Sequence, residues 1–282
     1  MPEEFSDWIG RSESHSDALD PWPARAAAAM LDCENLDPGA GAELPPLWHW
    51  LYFLATVPQS GLATDGHPQR GGFMPPIELP RRMFAGSRMT FHRPLRLGRT
   101  AERLATIRDV RQKSGRSGQL AFVTVDYSFR QDGELCIEEQ QDIVYREAGA
   151  PVAAPEVVEP PELPAGTWSR EVNADSRLLF RFSALTFNAH RIHYDRAYAR
   201  EEEGYPGLIV HGPLTAMLLA DLVRRNDARR ITQFSFRGAA PLFDLAPLRL
   251  RGNPAGESVA LEARGPDERP ALAATAVLKQ GD

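Results

Sequence analysis

Asn188, His190, Arg191 and His193 bring an amide, two imidazoles and a guanidinium into one short stretch, SALTFNAHRIHYD (Ser183–Asp195). The chain has only 7 histidines, and a third, His211, opens the segment HGPLTAMLLADL soon afterwards. Imidazole is the side chain whose charge changes most readily near neutral pH, so such a cluster is suited to general acid–base work. Asn188 and His190 also have a plainer explanation as turn residues, because Asn and His often occupy irregular loop conformations. The segment after His211 favours chemistry. Leu214, Met217, Leu218 and Leu222 recur at helical spacing, and Pro213 suits a first helical turn, where its missing N–H would be unpaired anyway. Gly212 has no side chain to screen that helix start. A polarised oxygen can therefore approach its N–H and feel the positive end of the helix dipole.

Several other chemistries lack their residues. His190 and His193 have no Glu between them and no evident third ligand, so no metal is expected. No GxSxG provides a serine nucleophile. Gly71-Gly72 lies in a Gly- and Pro-rich stretch, Thr64–Pro76, that lacks the Lys-Ser/Thr ending of a phosphate loop. That stretch reads either as a surface loop or as a ligand-lining loop with His67 and Arg70 available to anions. No organic cofactor is implied.

The motif needs elements to hold it. The alternating run Leu179–Phe187 is read as a strand delivering the loop; a short helix (HYDRAYAREEE) and the Gly212-Pro213 helix follow. Four candidate strands close the chain: ITQFSFRGAAPLF, PLRLRGN, SVALEARG and ALAATAVLK. The N-terminal half has a similar plan. PARAAAAMLDC (Pro23–Cys33) is rich in helix formers, and LWHWLYFLA (Leu47–Ala55) is apolar nearly all round, predicting a buried helix with Trp48 and Trp50 in the core. From Arg82 to Arg146 come four strand-like runs, with Ala121, Val123, Val125 and Tyr127 alternating and SGRSG and RQDGE as turns. Arg108, Arg111, Lys113 and Arg116 form a basic run that reads as a solvated strand edge rather than a phosphate site. Between the halves, Glu147–Gly166 carries Pro151, Pro155, Pro160, Pro161 and Pro164 and almost no large apolar side chain, as an extended linker would.

The motif residues resemble the MaoC-like, or hydratase 2, group of hotdog-fold enzymes, whose signature reads S-G-D-x-N-P-[IL]-H followed by an HG-M-L-x-[AS] helix start. His193 matches the signature histidine and His211–Ala216 the helix start, with one extra residue between. Asn188 stands where the family has its catalytic aspartate, His190 where it has asparagine, and Thr186-Phe187 replaces Ser-Gly. That altered pattern is similar to the branch containing mesaconyl-CoA and itaconyl-CoA hydratases and mitochondrial-type hydroxyacyl-thioester dehydratases. The resemblance covers Ser183–Leu222. It implies an α+β tandem (double) hotdog, with antiparallel sheets each wrapped around a central helix. The expected division is an N-terminal hotdog-like domain without the motif (1–147), a linker (148–166) and a C-terminal catalytic hotdog (167–282).

Its implied activity is reversible hydration of a 2,3-unsaturated acyl-CoA, with a branched C4–C5 dicarboxylic acyl group as one substrate class. In that reading His193 is the proton-transfer group, Gly212 N–H holds the thioester oxygen, and Asn188 orients the water, since a neutral amide cannot accept its proton. Either His193 acts as base and acid in turn, or His190 supplies a second titratable group; we take the first, with His190 facing away. His190, Arg191, His211, Pro213 and Arg237 are the candidate substrate contacts. Arg191 and Arg237 could pair with a substrate carboxylate, surface salt bridging being the competing role of each. A hotdog thioesterase and a non-catalytic acyl-CoA-binding protein are the alternatives. Fold alone does not choose among them.

With 282 residues the chain can form two ordinary domains, and a net charge of −6 argues against a nucleic-acid surface. No apolar run is long enough to span a bilayer, and the acidic, polar start lacks the pattern of a secretory signal. No membrane partner is expected; a cytoplasmic protein, assembled as a homo-oligomer (a dimer), is. Cys33 and Cys136, in separate segments without CxxC spacing, read as buried structural residues.

Overall fold

The computed structural model describes residues 5–34, 36–115 and 118–280. In the N-terminal half the strands are β1 (Ser12–Asp17), β2 (Arg81–Phe91), β3 (Ala101–Gly115), β4 (Gly118–Gln131) and β5 (Glu134–Arg146). In the C-terminal half they are β6 (Trp168–Val172), β7 (Arg230–Gly238), β8 (Leu248–Ala255), β9 (Ser258–Arg264) and β10 (Pro270–Lys279). All join one 10-stranded antiparallel sheet, in the order β1-β3-β4-β5-β2-β7-β10-β9-β8-β6. Read from its outer edge, each half has the same order: first, third, fourth, fifth and second strand. This internal repeat is the tandem hotdog plan, although the halves share no evident sequence identity.

The seam is the β2–β7 pair. At Gly86, beside an irregularity between Phe84 and Gly86, an added Cβ would lie 2.4 Å from the Phe236 carbonyl oxygen. A residue without a side chain therefore allows the two halves to close.

The halves differ in what covers the sheet. In the C-terminal half, α4 (Gly212–Asn226) packs against β6, β8, β9 and β10. Every residue from Leu214 to Val223 is buried, which fits a helix enclosed by a curved sheet. Among the described residues, the N-terminal sheet encloses no such helix. Leu47–Ala55, expected as a helix, forms only a 3₁₀ turn at Trp48–Leu51, with left-handed Leu47 (φ 72°) before it and Phe53 (φ 55°) after it. It is buried as expected, but its polar atoms bind sideways to a buried strand carboxylate. His49 Nε2–H and Trp50 Nε1–H both donate to Glu139, at 3.0 Å. Ser87 and Gln141 complete that carboxylate's shell, and although burial pushes it up, these bonds hold Glu139 below the usual carboxylate range. The rest of this inner face is covered by chain without regular structure: Phe73, Met74, Ile77 and Leu79 lie against Ala105, Val123 and Ile143.

A second correction concerns the approach to the motif. Leu179–Phe187, read as a strand, belongs largely to helix α2 (Ser176–Leu185). Asp175 caps it by accepting from the N–H groups of Arg177 and Leu178 (3.0 and 3.1 Å), and Leu179, Phe182 and Leu185 are buried at helical spacing while Phe180 is exposed. Helix α1 (Pro21–Met30), as predicted from its alanines, packs against α2. A short α3 (Arg196–Glu201) precedes α4.

Two carboxylate anchors, buried Asp221 and half-buried Glu268, brace the frame. Asp221 of α4 accepts from Arg170, Arg224 and Arg225, and Arg225 also reaches the carbonyls of Leu31 and Asp32 after α1. Glu268 pairs with Arg249 and Arg251 beneath the linker, whose Val158 N–H donates to the Pro266 carbonyl. Both cysteines are buried free thiols, their pKa raised by burial. Of the basic run, Arg108 pairs with Asp126 and Arg111 with Asp109 on the part of β3 that β1 leaves uncovered; Arg116 lies outside the described residues. Among the described residues, no helix is long and apolar enough to cross a membrane.

Candidate active site

The motif loop is built from its turns outward. Helix α2 ends where Thr186 Oγ donates to the Phe182 carbonyl (2.8 Å), and left-handed Phe187 (φ 49°) turns the chain away. Asn188 then makes two local bonds: its N–H donates to the Ser183 carbonyl (2.9 Å) and its Oδ1 accepts from His190 N–H (3.0 Å). The turn role of Asn188 is therefore real. Its side-chain NH₂ has no partner among the described residues and is free to donate.

His193 sits in the following 3₁₀ turn, Arg191–His193. Its Nδ1 lies 2.8 Å from the Ile209 carbonyl, which only accepts. Nδ1 therefore carries the proton and Nε2 keeps its lone pair, the tautomer a base needs. The same segments are joined by the backbone bond from Ile209 N–H to the Ile192 carbonyl (3.0 Å). His193 stacks on His211, the N-cap residue of α4, with ring centroids 3.6 Å apart and planes at 20°. His211 Nε2 is 2.9 Å from Ser183 Oγ, and its Nδ1 is buried without a partner. Beyond the stack, Gly212 and Pro213 begin the helix as expected. An added Cβ on Gly212 would meet nothing closer than the Phe84 carbonyl oxygen at 3.8 Å, and the Gly212 N–H has no hydrogen-bond partner among the described residues.

The N-terminal half supplies a wall. Arg191 N–H donates to the Asp65 carbonyl (2.9 Å), and an added Cβ on Gly66 (φ +91°) would lie 1.8 Å from the Ala189 carbonyl oxygen. That contact seats His67 on His190, ring centroids 3.9 Å apart, with His190 in turn edge-on to His193 at 5.4 Å. His190 thus does not face away: it lies between a loop histidine and the motif histidine. His67 Nδ1–H donates to Asp65 (3.0 Å). Burial pushes the Asp65 carboxyl up, but the hydrogen bonds from His67 outweigh it and hold the carboxyl below its usual range. Asp65, His67 and His190 also present possible metal-ligand atoms within 4.8 Å of one another. In this geometry one of those contacts is already the His67–Asp65 hydrogen bond, and the two rings lie over each other.

The three inner histidines are 8% (His190), 7% (His193) and 1% (His211) exposed. Burial disfavours their charged forms, as do the neighbouring imidazoles. Desolvation first, then His67, lowers His190 to about 3. His193 also falls to about 3, chiefly by desolvation and then His190, although its bond to Ile209 pulls the other way. His211 lies well below its ordinary value for the same reasons. The cluster is a set of neutral imidazoles beside a helix N-terminus.

Of the residues singled out from the sequence, His190, His193, His211, Gly212, Pro213 and Asn188 come together here. Arg191 does not open into the site: it pairs with Asp195 (2.8 Å), bonds the Thr64 carbonyl and lies over the Tyr198 ring. Arg237 is exposed, on the face of β7 opposite buried Phe236. Arg70 is tied to carbonyls of its own loop, among them Leu79 (2.8 Å). Ser183 and Asp65, which hold two of the histidines, carried no sequence signal beyond their nearness to the motif and to His67.

Residues 47–244 match the family model for hydroxyacyl-thioester dehydratase type 2. The chain is 62% identical to a mesaconyl-C(4)-CoA hydratase of Chloroflexus aurantiacus over 272 residues, covering 96% of each. A mitochondrial hydroxyacyl-thioester dehydratase type 2 of Schizosaccharomyces pombe is 29% identical over 233 residues, covering 73% of this chain and 77% of that one. Among solved structures, a MaoC-like dehydratase superposes with a TM-score of 0.70 at 15% identity, covering 97% of this chain and 98% of that one. A Mycobacterium tuberculosis protein described as a double hotdog gives 0.57 at 15% identity, covering 96% of each.

Proposed function

The chain belongs to the type 2 hydroxyacyl-thioester dehydratase family of MaoC-like hotdog enzymes, and from that premise we propose that it hydrates a mesaconyl-type acyl-CoA, reversibly, at the His193–Gly212 site. It is an enzyme of the acyl-CoA hydratase/dehydratase class. The observation that carries the site is the tautomer of His193: its Nδ1 proton is committed to Ile209, and its ring stacks on the residue preceding the open N–H of Gly212.

The steps follow from these groups. The thioester oxygen accepts from Gly212 N–H, at the positive end of α4, where charge develops as the enolate forms. Water, held by the free NH₂ of Asn188, gives a proton to His193 Nε2 while its oxygen bonds to the β-carbon. The enolate then takes that proton at Cα, restoring the neutral imidazole. Water is added across the double bond and the reverse sequence removes it. A histidine titrating at about 3 is a weak base, so its protonated form passes the proton on readily; the enolate charge beside it raises its basicity only while the intermediate exists.

The C-terminal half (167–282) carries the chemistry in this reading, and the N-terminal half (1–147), across the linker 148–166, shapes the acyl site through the Asp65–His67 loop and the inner face of β2. Mesaconyl is preferred over itaconyl because of the high identity to the Chloroflexus enzyme. A homodimer and cytoplasmic residence complete the proposal; size-exclusion chromatography with light scattering and cell fractionation test them.

The deciding assay follows absorbance of the conjugated thioester for mesaconyl-C4-, itaconyl- and crotonyl-CoA with the purified chain. Mesaconyl-C4-CoA is expected to turn over fastest, and His193→Ala to lower kcat by about 10²–10⁴-fold, the usual worth of general acid–base catalysis. Activity of His193→Ala close to wild type would end the assignment.

A further inference from the structure

Mesaconate is a dicarboxylic acid, so its mono-thioester retains a free carboxylate, and neither Arg191 nor Arg237 opens into the site to receive it. A different arginine does meet the requirements. Arg82 is the second residue of β2 and is paired in register with Tyr145. Directly paired residues of an antiparallel ladder point to the same face, and Tyr145 belongs to the buried cluster inside the N-terminal sheet. Arg82 therefore points inward, on the same face as Phe84 two residues on, whereas Met83 between them is exposed.

Its charge is unanswered. Arg82 is half-buried, yet among the described residues it has no hydrogen bond and no ion pair. Its neighbour Arg81, on the other face, is paired with Glu203, and inward-facing Arg103 has both Glu13 and the Phe53 carbonyl. A guanidinium drawn partly out of water without a partner is unfavourable, and a ligand anion removes the penalty. The surroundings place that anion. The Phe84 carbonyl oxygen lies 3.8 Å from where a Cβ on Gly212 would sit. Arg82 lies two residues further along the strand, about 7 Å at strand spacing, and its flexible stem covers part of that step. An acyl group with a four-carbon main chain and its thioester oxygen at Gly212 thus has its far end within reach. The Arg82 charge is also felt at both His190 and Tyr127.

We propose that Arg82 is the specificity residue that pairs with the free carboxylate of a dicarboxylic acyl-CoA, from the inner face of β2. This rests on the acyl-CoA reading of the site, but its test does not need turnover. Succinyl-CoA and butyryl-CoA have acyl chains of the same carbon number, are saturated, and differ at the far end by a carboxylate in place of a methyl group. Calorimetry should show wild type binding succinyl-CoA roughly 10- to 100-fold more tightly, the worth of a hydrogen bond to a charged group. Arg82→Met should bring that ratio to about one while leaving butyryl-CoA binding unchanged, and Arg82→Lys should restore part of it. The assignment is overturned if wild type does not distinguish the two ligands, if Arg82→Met retains the preference, or if it weakens both equally, which would put Arg82 on the CoA moiety. If the preference depends on Arg82 and yet no enoyl-CoA is hydrated, the carboxylate assignment stands and the proposed reaction fails.

Discussion

Replacing His190 by Asn tests the electrostatics of the imidazole cluster directly, because it removes one titrating ring and installs the residue that the family signature has at this place. His190 titrates at about 3 in the folded protein and at about 6.5 when unfolded. The groups facing it are His67 and Asp65 on the loop, His193 edge-on to it, His211 at the helix start and Arg82 on β2; of these only Asp65 favours its protonation. Below pH 6.5 the unfolded chain therefore binds a proton that the folded chain refuses until pH nears 3. Stability is unaffected by this residue above about pH 6.5 and falls as the pH drops through the window from 6.5 to 3. At pH 5 the window is 1.5 units deep, so His190 lowers stability by about 2 kcal/mol relative to pH 8. Urea unfolding of wild type and His190→Asn at the two pH values reads the effect, since carboxylates common to both cancel and His193, depressed in part by His190, moves in the same direction. The loss between pH 8 and pH 5 should be smaller by about 2 kcal/mol in the variant. Identical losses, or a ring resonance of His190 titrating near its ordinary value, would refute the buried neutral state.

The remaining predictions probe the supports. Gly66→Ala cannot keep the loop seated, because its Cβ would meet the Ala189 carbonyl at 1.8 Å in a left-handed conformation; stability should fall by about 1–3 kcal/mol and kcat with it, and unchanged denaturation and activity would show the wall to be dispensable. Asp221→Ala strands three arginines around a buried position and should destabilise by about 3–5 kcal/mol by urea titration, with the hydration rate of the folded fraction retained. Asn188→Ala removes one orienting donor and one turn bond, so kcat should fall roughly tenfold, well short of His193→Ala; an equal loss would make the amide more than an orienting group.

Much of the fold is legible because strands with one buried face announce themselves by alternation. Ala121, Val123 and Val125 do so in β4, and all four C-terminal strands after α4 follow their punctuation. The failures have specific causes. Leu179 to Phe187 satisfies a two-residue period and a helical one at once, and the deciding residue, Asp175, lies upstream as an N-cap rather than within the run. Strands β1 and β6, SESHSD and WSREV, occupy the two edges of the sheet and carry mostly polar residues, so no apolar pattern marks them. Leu47–Ala55 has the composition of a core helix, but composition reports burial and not conformation. Here Glu139, far along the chain, accepts from the side chains of His49 and Trp50, and the backbone that presents both to it is irregular.

The site divides along the same line. His193, His211 and Gly212 are legible because each acts through its immediate neighbours: a turn, an N-cap, a helix start. The partners that set their chemistry are not, because they arrive across the β2–β7 seam. His67 looks like one polar residue of a loop until Gly66 brings the loop backbone against Ala189. Arg82, at the start of a strand, reads as an ordinary solvated charge. Pairing with Tyr145 turns it inward and leaves it without a counter-charge among the described residues. On the proposed assignment the reacting groups are local in sequence, whereas the proposed selecting group, Arg82, is brought to them only by the folded sheet. On that proposal changes on β2 should alter which acyl chain is accepted, with the addition of water itself still assigned to His193 and Gly212.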